Sequence, residues 1–212
     1  MLCWSRPSHA AIERFLAEQS QLELSYEGVG HTGLNHTSAG SIPSGYRAHR
    51  YRTPLGSGDA TYEAARRAIG DWKMFEVGWV ELIPARPAEP KGGATVGLLF
   101  RLAGTWWLSA CRVIDLIDET APLDETTPRR RFGFAYGTLP GHVARGEERF
   151  LVEQDQDGTV WYDLFSFSRP RHPMARLGSP ITRAMQKRFG HASLEAMRRA
   201  VATAGASQAT GR

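Results

Sequence analysis

The chain has 212 residues, 42% apolar and 23% charged, with 26 Lys+Arg against 22 Asp+Glu. That length buries roughly 70% of the surface of the unfolded chain, which supports one core, and no stretch nears the roughly 18 apolar residues of a membrane span. A net charge of +4 is too mild to imply nucleic acid by itself. No secretory leader is visible at the start, so a soluble, cytoplasmic protein is expected. Cys3 and Cys111 form no Cys-x-x-Cys pair, which argues against a disulfide framework or a structural zinc site.

Residues 8–19 read as a short helix with Ser8 as N-cap and Ile12, Phe15 and Leu16 at helical spacing, an appendage spanning residues 1–25. Gly28 to Gly45 is rich in Gly, Ser, Thr and Asn and reads as a loop. Tyr46 to Leu55 alternates as a strand, Gly56-Ser57-Gly58 closes it, and Asp59 is placed to cap a helix running to Trp72. Tyr62, Ala65, Ile69 and Trp72 share one face of that helix. Strands are expected at 76–84, 94–103, 106–118, 130–139, 147–155 and 159–168. They are divided by Pro87, Pro90 and Gly92-Gly93, by Gly104-Thr105, by the Pro122 to Pro128 loop and by Asp157-Gly158.

After Pro170 and Pro173 a long helix is expected to about Ala204, with Ile181, Met185, Phe189 or Arg188, Ala192 and Met197 recurring and Pro180 starting or kinking it. Residues 204–212 read as a disordered tail, leaving 26–203 as the domain. Seven antiparallel strands with one apolar face need a cover, and the last helix supplies it. The expected fold is therefore α+β, with a seven-stranded curved antiparallel sheet wrapped around a long C-terminal helix. Such a wall is seldom filled completely, so a ligand cavity is expected between sheet and helix.

Several strings resemble one family across about Tyr26 to Met197. They are Gly45-Tyr46-Arg47-x-x-Arg50-Tyr51-Arg52, Trp72-x-Met74-Phe75-x-x-Gly78-Trp79-Val80, Cys111-Arg112-Val113, the run Arg131 to His142, Gly146-Glu147-Glu148-Arg149-Phe150, and Phe167-Ser168-Arg169-Pro170-Arg171-His172-Pro173. Together they resemble domain of unknown function 1990, also called uncharacterised protein family 0548. The resemblance implies a helix-grip fold similar to the START and Bet v 1-like superfamily. It brings no catalytic residues with it.

Gly28-Val29-Gly30-His31-Thr32-Gly33 has dinucleotide-binding glycine spacing but lacks the flanking strand and helix, so no cofactor is implied. Gly56-Ser57-Gly58 reads as a turn into a helix. No histidine spacing suits a metal, and no Gly-x-Ser-x-Gly elbow occurs. From Phe132 to Thr138 large and small residues alternate, which turns Phe132, Phe134 and Tyr136 inward and leaves the glycines for bending or close approach. Trp106, Leu108, Ala110, Arg112 and Ile114 share a face, as do Glu148, Phe150 and Val152.

The candidate ligand-binding residues are therefore Trp106, Arg112, Phe132, Phe134, Tyr136, Glu148 and Phe150. Arg112 and Glu148 are expected either to pair or to anchor a ligand. Trp106-Trp107 and Trp161-Tyr162 read more as core aromatics than as ligand platforms. A small, mainly apolar molecule is the expected partner. The alternative is an enzyme of isomerase or cyclase type, with Tyr136, Glu148 or His142 as acid or base; His142 otherwise reads as a turn residue bonded to backbone. A further alternative rests on Arg169 to Arg199, where eight basic residues face Glu195 alone, a surface for an anionic partner such as a membrane.

Overall fold

The computed structural model describes residues 1–33, 42–84, 88–120, 130–171 and 179–209, with backbone only at 179–182 and 207–209. Pro87, the Pro122 to Pro128 loop, His172, Pro173, part of the Gly28 to Gly45 loop and residues 210–212 lie outside the described residues. In chain order the elements are β1 (Leu2–Cys3), α1 (His9–Ser20), β2 (Arg47–Ser57), α2 (Asp59–Gly70), a 3-10 turn (Lys73–Phe75), β3 (Val80–Ile83), β4 (Thr95–Leu102), β5 (Thr105–Thr120), β6 (Arg130–Thr138), β7 (Ala144–Gln154), β8 (Thr159–Pro170) and α3 (Ser179–Ala209).

The sheet runs β2-β8-β7-β6-β5-β4-β3, with every pair antiparallel. These are the seven strands expected, and the sheet curves around α3 in the helix-grip arrangement. Two residues add an unexpected strand: β1 pairs with the start of β5, Leu2 opposite Trp107, beside the part of β5 that β6 does not reach. A two-residue strand is too short to show alternation in sequence. The helix of segment 1–25 packs on the sheet, with Ile12 of α1 against Leu99 and Leu108 on its convex face.

The ends of elements follow local chemistry. Ser8 caps α1 by accepting from the Ala11 N–H at 3.3 Å. The N-cap of α2 is Gly58, at φ +84°, rather than Asp59. Asp59 is the first helical residue, and its carboxylate instead accepts from Arg130 at 2.7 Å. Tyr62, Ala65, Ile69 and Trp72 are all buried against the sheet as their spacing predicts. The 76–84 strand shortens to Val80–Ile83, since the 3-10 turn and Gly78, at φ +80°, occupy its first part. The β4–β5 hairpin turns on Ala103 and Gly104, both at positive φ, with Thr105 already paired.

In α3, Pro180 sits in the first turn, where its missing N–H costs nothing. The helix runs on to Ala209, through residues expected to form the disordered tail; the run 204–209 holds three alanines, the best helix formers. Its C-terminal half is seated deeply, with Ser193, Leu194, Ala196, Met197 and Val201 buried. There Tyr162 of β8 shares a 2.8 Å hydrogen bond with Ser193. Gly190 lies so close to the Tyr51 ring that a Cβ would come within 2.5 Å of it. The N-terminal half, with Met185, Gln186 and Phe189, is only half-buried.

Candidate functional site

Where α3 stands off the sheet a cavity of about 470 Å³ remains. Its floor is the concave face: Leu98 and Phe100 from β4, Trp107 from β5, Tyr136 and Thr138 from β6, Glu148 from β7, Ser166 from β8, and His49 and Tyr51 from β2. Met185, Gln186 and Phe189 of α3 form the roof, and Trp79 closes one side. Strand alternation brings these side chains together, since Tyr136 pairs with Glu148, and Glu148 in turn with Ser166.

The polar centre of the wall is a carboxyl–phenol pair. Tyr136 Oη donates to Glu148 Oε2 at 2.6 Å. Burial pushes the Glu148 carboxyl up to about 7, against the opposing pull of that hydrogen bond. Burial and the nearby carboxylate push Tyr136 well above the usual phenol range. Tyr51 and Cys111 are raised as well, first by burial and then by Glu148, and burial raises Tyr162 against the pull of its Ser193 hydrogen bond. The wall thus favours neutral groups and can carry one proton on Glu148 near neutral pH. Trp79 adds a buried indole N–H with no partner among the described residues, while Arg188 stacks over its ring at 4.7 Å.

His142 lies at the rim of the same cavity, but its chemistry is turned to the backbone. The Ala144 N–H donates to Nδ1 at 3.0 Å, and burial pulls the ring down to about 4, so it is neutral at pH 7. That matches the reading of a turn histidine bonded to backbone. Of the three acid–base candidates, Tyr136 and Glu148 are joined.

The other candidates separate. Phe132, Phe134 and Phe150 do face the concave side but are packed beneath α2 and the 3-10 turn: Trp72 lies 4.5 Å from Phe134 and Phe75 5.4 Å from Phe150, ring to ring. Trp106 and Arg112 are on the opposite face and line no part of the cavity. Arg112 pairs across β5–β6 with Gly137, whereas its neighbour Val113 faces Tyr136. Instead of meeting Glu148, Arg112 donates to the carbonyls of Ser20 and Leu22 at 2.7 and 2.8 Å, satisfying the end of α1. Trp106 packs with the α1 cluster. Ile114 does not continue the face, because the β5–β6 register slips between Val113 and Asp115. Alternation sorts a strand into two sets without saying which is inward, and α1 makes both faces of β5 apolar. Trp107, the neighbour that does reach the cavity, belongs to the other set.

The glycine-rich segment has a different role. The N–H groups of Gly30 and Thr32 donate to the Glu147 carboxylate, each at 2.8 Å, joined by Tyr26 Oη at 2.9 Å and by the Thr32 hydroxyl. This loop, read from sequence as no nucleotide site, thus holds a carboxylate of its own chain against the convex face. Gly137 permits this, because a Cβ there would collide with Tyr26 Oη. Among the described residues, no cluster of His, Cys, Asp or Glu is arranged to hold a metal. No helix among the described residues is long and apolar enough to cross a membrane. The basic run is divided: Arg188 stacks on Trp79, Arg198 pairs with Glu195, and Arg199 donates to Glu76 O at 3.1 Å.

Among solved structures, the aromatase/cyclase Zhui from a Streptomyces species is similar over 74% of this chain and 93% of its own, at 13% identity and a TM-score of 0.46. Major latex-like protein 151 from Panax ginseng is similar over 73% and 96%, at 12% identity and a TM-score of 0.36. Sequence comparison reaches further. A UPF0548 protein of Deinococcus radiodurans is 38% identical over 86% of this chain and 89% of its own length. A UPF0548 protein of Dictyostelium discoideum is 31% identical over 95% and 96%. The model of the domain of unknown function DUF1990 matches residues 25–196, from the segment that wraps the convex face to the seated half of α3. By that match and those relatives, the chain belongs to the DUF1990 (UPF0548) family.

Proposed function

We propose that the protein binds a small, mainly apolar molecule between the concave face of the sheet and the N-terminal half of α3. The observation that carries this reading is the open cavity with one hydrogen-bonded Tyr136–Glu148 pair in a wall otherwise built largely from Leu98, Phe100, Trp107 and Phe189. Apolar surface supplies affinity, and few polar groups fix orientation. Tyr136–Glu148 and the Trp79 N–H, which has no acceptor among the described residues, favour a ligand with one hydrogen-bonding end. Native mass spectrometry of freshly purified protein is expected to show a retained small molecule, or uptake of an added apolar fluorophore. Ser166→Phe, which fills the cavity from its floor, is expected to abolish both. A wild-type protein that carries nothing and takes up nothing would overturn the reading.

One observation favours a second reading, in which the same pocket catalyses an isomerisation. A carboxyl near 7 is matched to proton transfer at neutral pH. Ionised Glu148 would take a proton from carbon beside a ligand carbonyl, Tyr136 would donate a hydrogen bond to that carbonyl oxygen, and the proton would return at another carbon. Exchange of ligand C–H for deuterium from solvent, lost in Glu148→Gln while binding persists, separates this reading from simple binding.

A further inference from the structure

On the convex face, opposite the cavity, the start of β7 lies beside the end of β8. Arg145 lies directly opposite Arg169 in the ladder. Arg171 follows two residues on, its amide donating to Val143 O at 3.1 Å. Alternation places all three side chains on the face that carries Glu147 and Phe167. Like charges directly opposite in a sheet destabilise it unless an opposite charge lies between them.

Among the described residues none of the three forms an ion pair, although cations further along the same face do: Arg50 and Arg149 both engage Asp163. Glu147, two residues from Arg145, gives its oxygens to Tyr26, Gly30 and Thr32 instead. Residues 172–178, which follow Arg171 in the chain, include no Asp or Glu.

The guanidiniums are also incompletely satisfied. Among the described residues, Arg145 Nε and Arg171 Nη1 are both buried without a hydrogen-bond partner. A buried N–H on a charged group that lacks an acceptor is costlier than a neutral one. Burial, and then the Arg145 charge, hold Arg171 below the usual guanidinium range. Arg169 is positioned by stacking over the Tyr46 ring at 4.6 Å. Tyr46 itself is 8% exposed, and its hydroxyl is buried and without a partner among the described residues.

Three guanidiniums without an ion pair among the described residues, two of them with an orphaned N–H, held where two adjacent strands meet, are the complement of a multiply charged anion. We propose that Arg145, Arg169 and Arg171 form a binding site for an oxyanion of the phosphate class, which lies between the facing guanidiniums and accepts the two orphaned N–H groups. A tetrahedral phosphoryl group offers several oxygens to donors arriving from different strands, and guanidinium forks match it. The site is separated from the cavity by the sheet, so its occupant is distinct from the cavity ligand.

Pyrophosphate is the probe, compared with chloride at equal ionic strength by calorimetric titration and thermal melting. Wild-type protein is expected to bind pyrophosphate and to melt higher with it. Arg145→Gln and Arg171→Gln are each expected to weaken that binding about tenfold or more, and Arg171→Lys, which keeps the charge but loses the fork, by less. In anion-free, low-salt buffer Arg145→Gln is expected to melt above wild type, because it removes a repulsion. Arg171→Gln carries the test if Arg145→Gln fails to fold.

Flotation with phosphatidate vesicles, competed by pyrophosphate and absent with phosphatidylcholine, would assign the oxyanion to a lipid headgroup. Pyrophosphate binding without flotation would assign it to a free phosphate compound. No binding of pyrophosphate by wild type, or equal binding by the Gln variants, would overturn the site.

Discussion

The Glu148 carboxyl, pushed up to about 7 by burial, keeps its proton in the folded chain at pH values where the unfolded chain has lost it. Between the ordinary carboxyl value of 4.5 and about 7 the folded state therefore binds more protons, and this group makes stability fall as pH rises. Across that window the loss amounts to about 3 kcal/mol. His142 acts with the opposite sign. Burial pulls its ring from 6.5 to about 4, so the unfolded state binds the extra proton and stability rises with pH over that range, again by about 3 kcal/mol. His49, also lowered by burial and by Arg47, adds to the rising side. The two slopes overlap from about pH 4.5 to 6.5, and wild-type stability is expected to be nearly level there. Glu148→Gln keeps an acceptor for Tyr136 but removes the falling slope, so urea midpoints of that variant should climb through this window. His142→Asn, which retains an acceptor for the Ala144 N–H, should instead give midpoints that fall with rising pH. Parallel pH profiles for wild type and Glu148→Gln would mean that this carboxyl titrates as it does in water.

At the scale of the element, α3 performs two tasks with one sequence. Its spacing was readable, since Met185, Phe189 and Met197 recur as they do in the folded helix, yet nothing in that pattern separates the half that seats from the half that stands off. The division depends on Gly190, which a sequence reading takes only as a weak point in a helix. Its reason lies on β2, where the Tyr51 ring occupies the space that a side chain would need. Strand alternation in β5 was equally legible and equally incomplete: it grouped Trp106 with Arg112 correctly but could not tell that α1 covers that group from outside. Gly190→Ala turns this into a sign test. In an unobstructed helix the change stabilises by about 1 kcal/mol. Here overpacking against Tyr51 costs about 1–3 kcal/mol, so the urea midpoint is expected to fall. In a Tyr51→Leu background, with the ring gone, the same substitution should raise it. A gain in both backgrounds would show that Tyr51 moves aside freely and that the glycine does not set the approach of the helix.

The molecule as a whole is two-sided, with an apolar concave face gripping α2 and α3 and a convex face laced with charges. Alternation already separates them along β7, where Glu147, Arg149 and Glu153 point one way and Glu148, Phe150 and Val152 the other. What the sequence alone cannot supply is the partner of each charge, because the partners lie on strands brought together only by the fold. Arg149, 1% exposed in its side chain, meets Asp163, 0% exposed, at 3.0 Å, and Arg50 reaches the other oxygen of Asp163 at 2.7 Å. Arg149 also donates to Thr32 O at 2.7 Å, which ties the N-terminal loop to β7 and β8. A second row joins Arg52, Glu153, Arg131 and Glu119 across β2, β7, β6 and β5. Charges so deeply buried are stable only in company, so Asp163→Asn, which strands Arg149, is expected to cost about 3–5 kcal/mol. Thr32 should loosen with it, and proteolysis within residues 22–33 should accelerate. Replacing both partners, Arg149→Met with Asp163→Leu, removes the stranded charge together with its counter-charge and should recover much of the loss. Because the pair is screened from solvent, the cost of Asp163→Asn should change little between low and high salt. A loss below about 1 kcal/mol that disappears in salt is the behaviour of an exposed pair, and would show that this face opens to water.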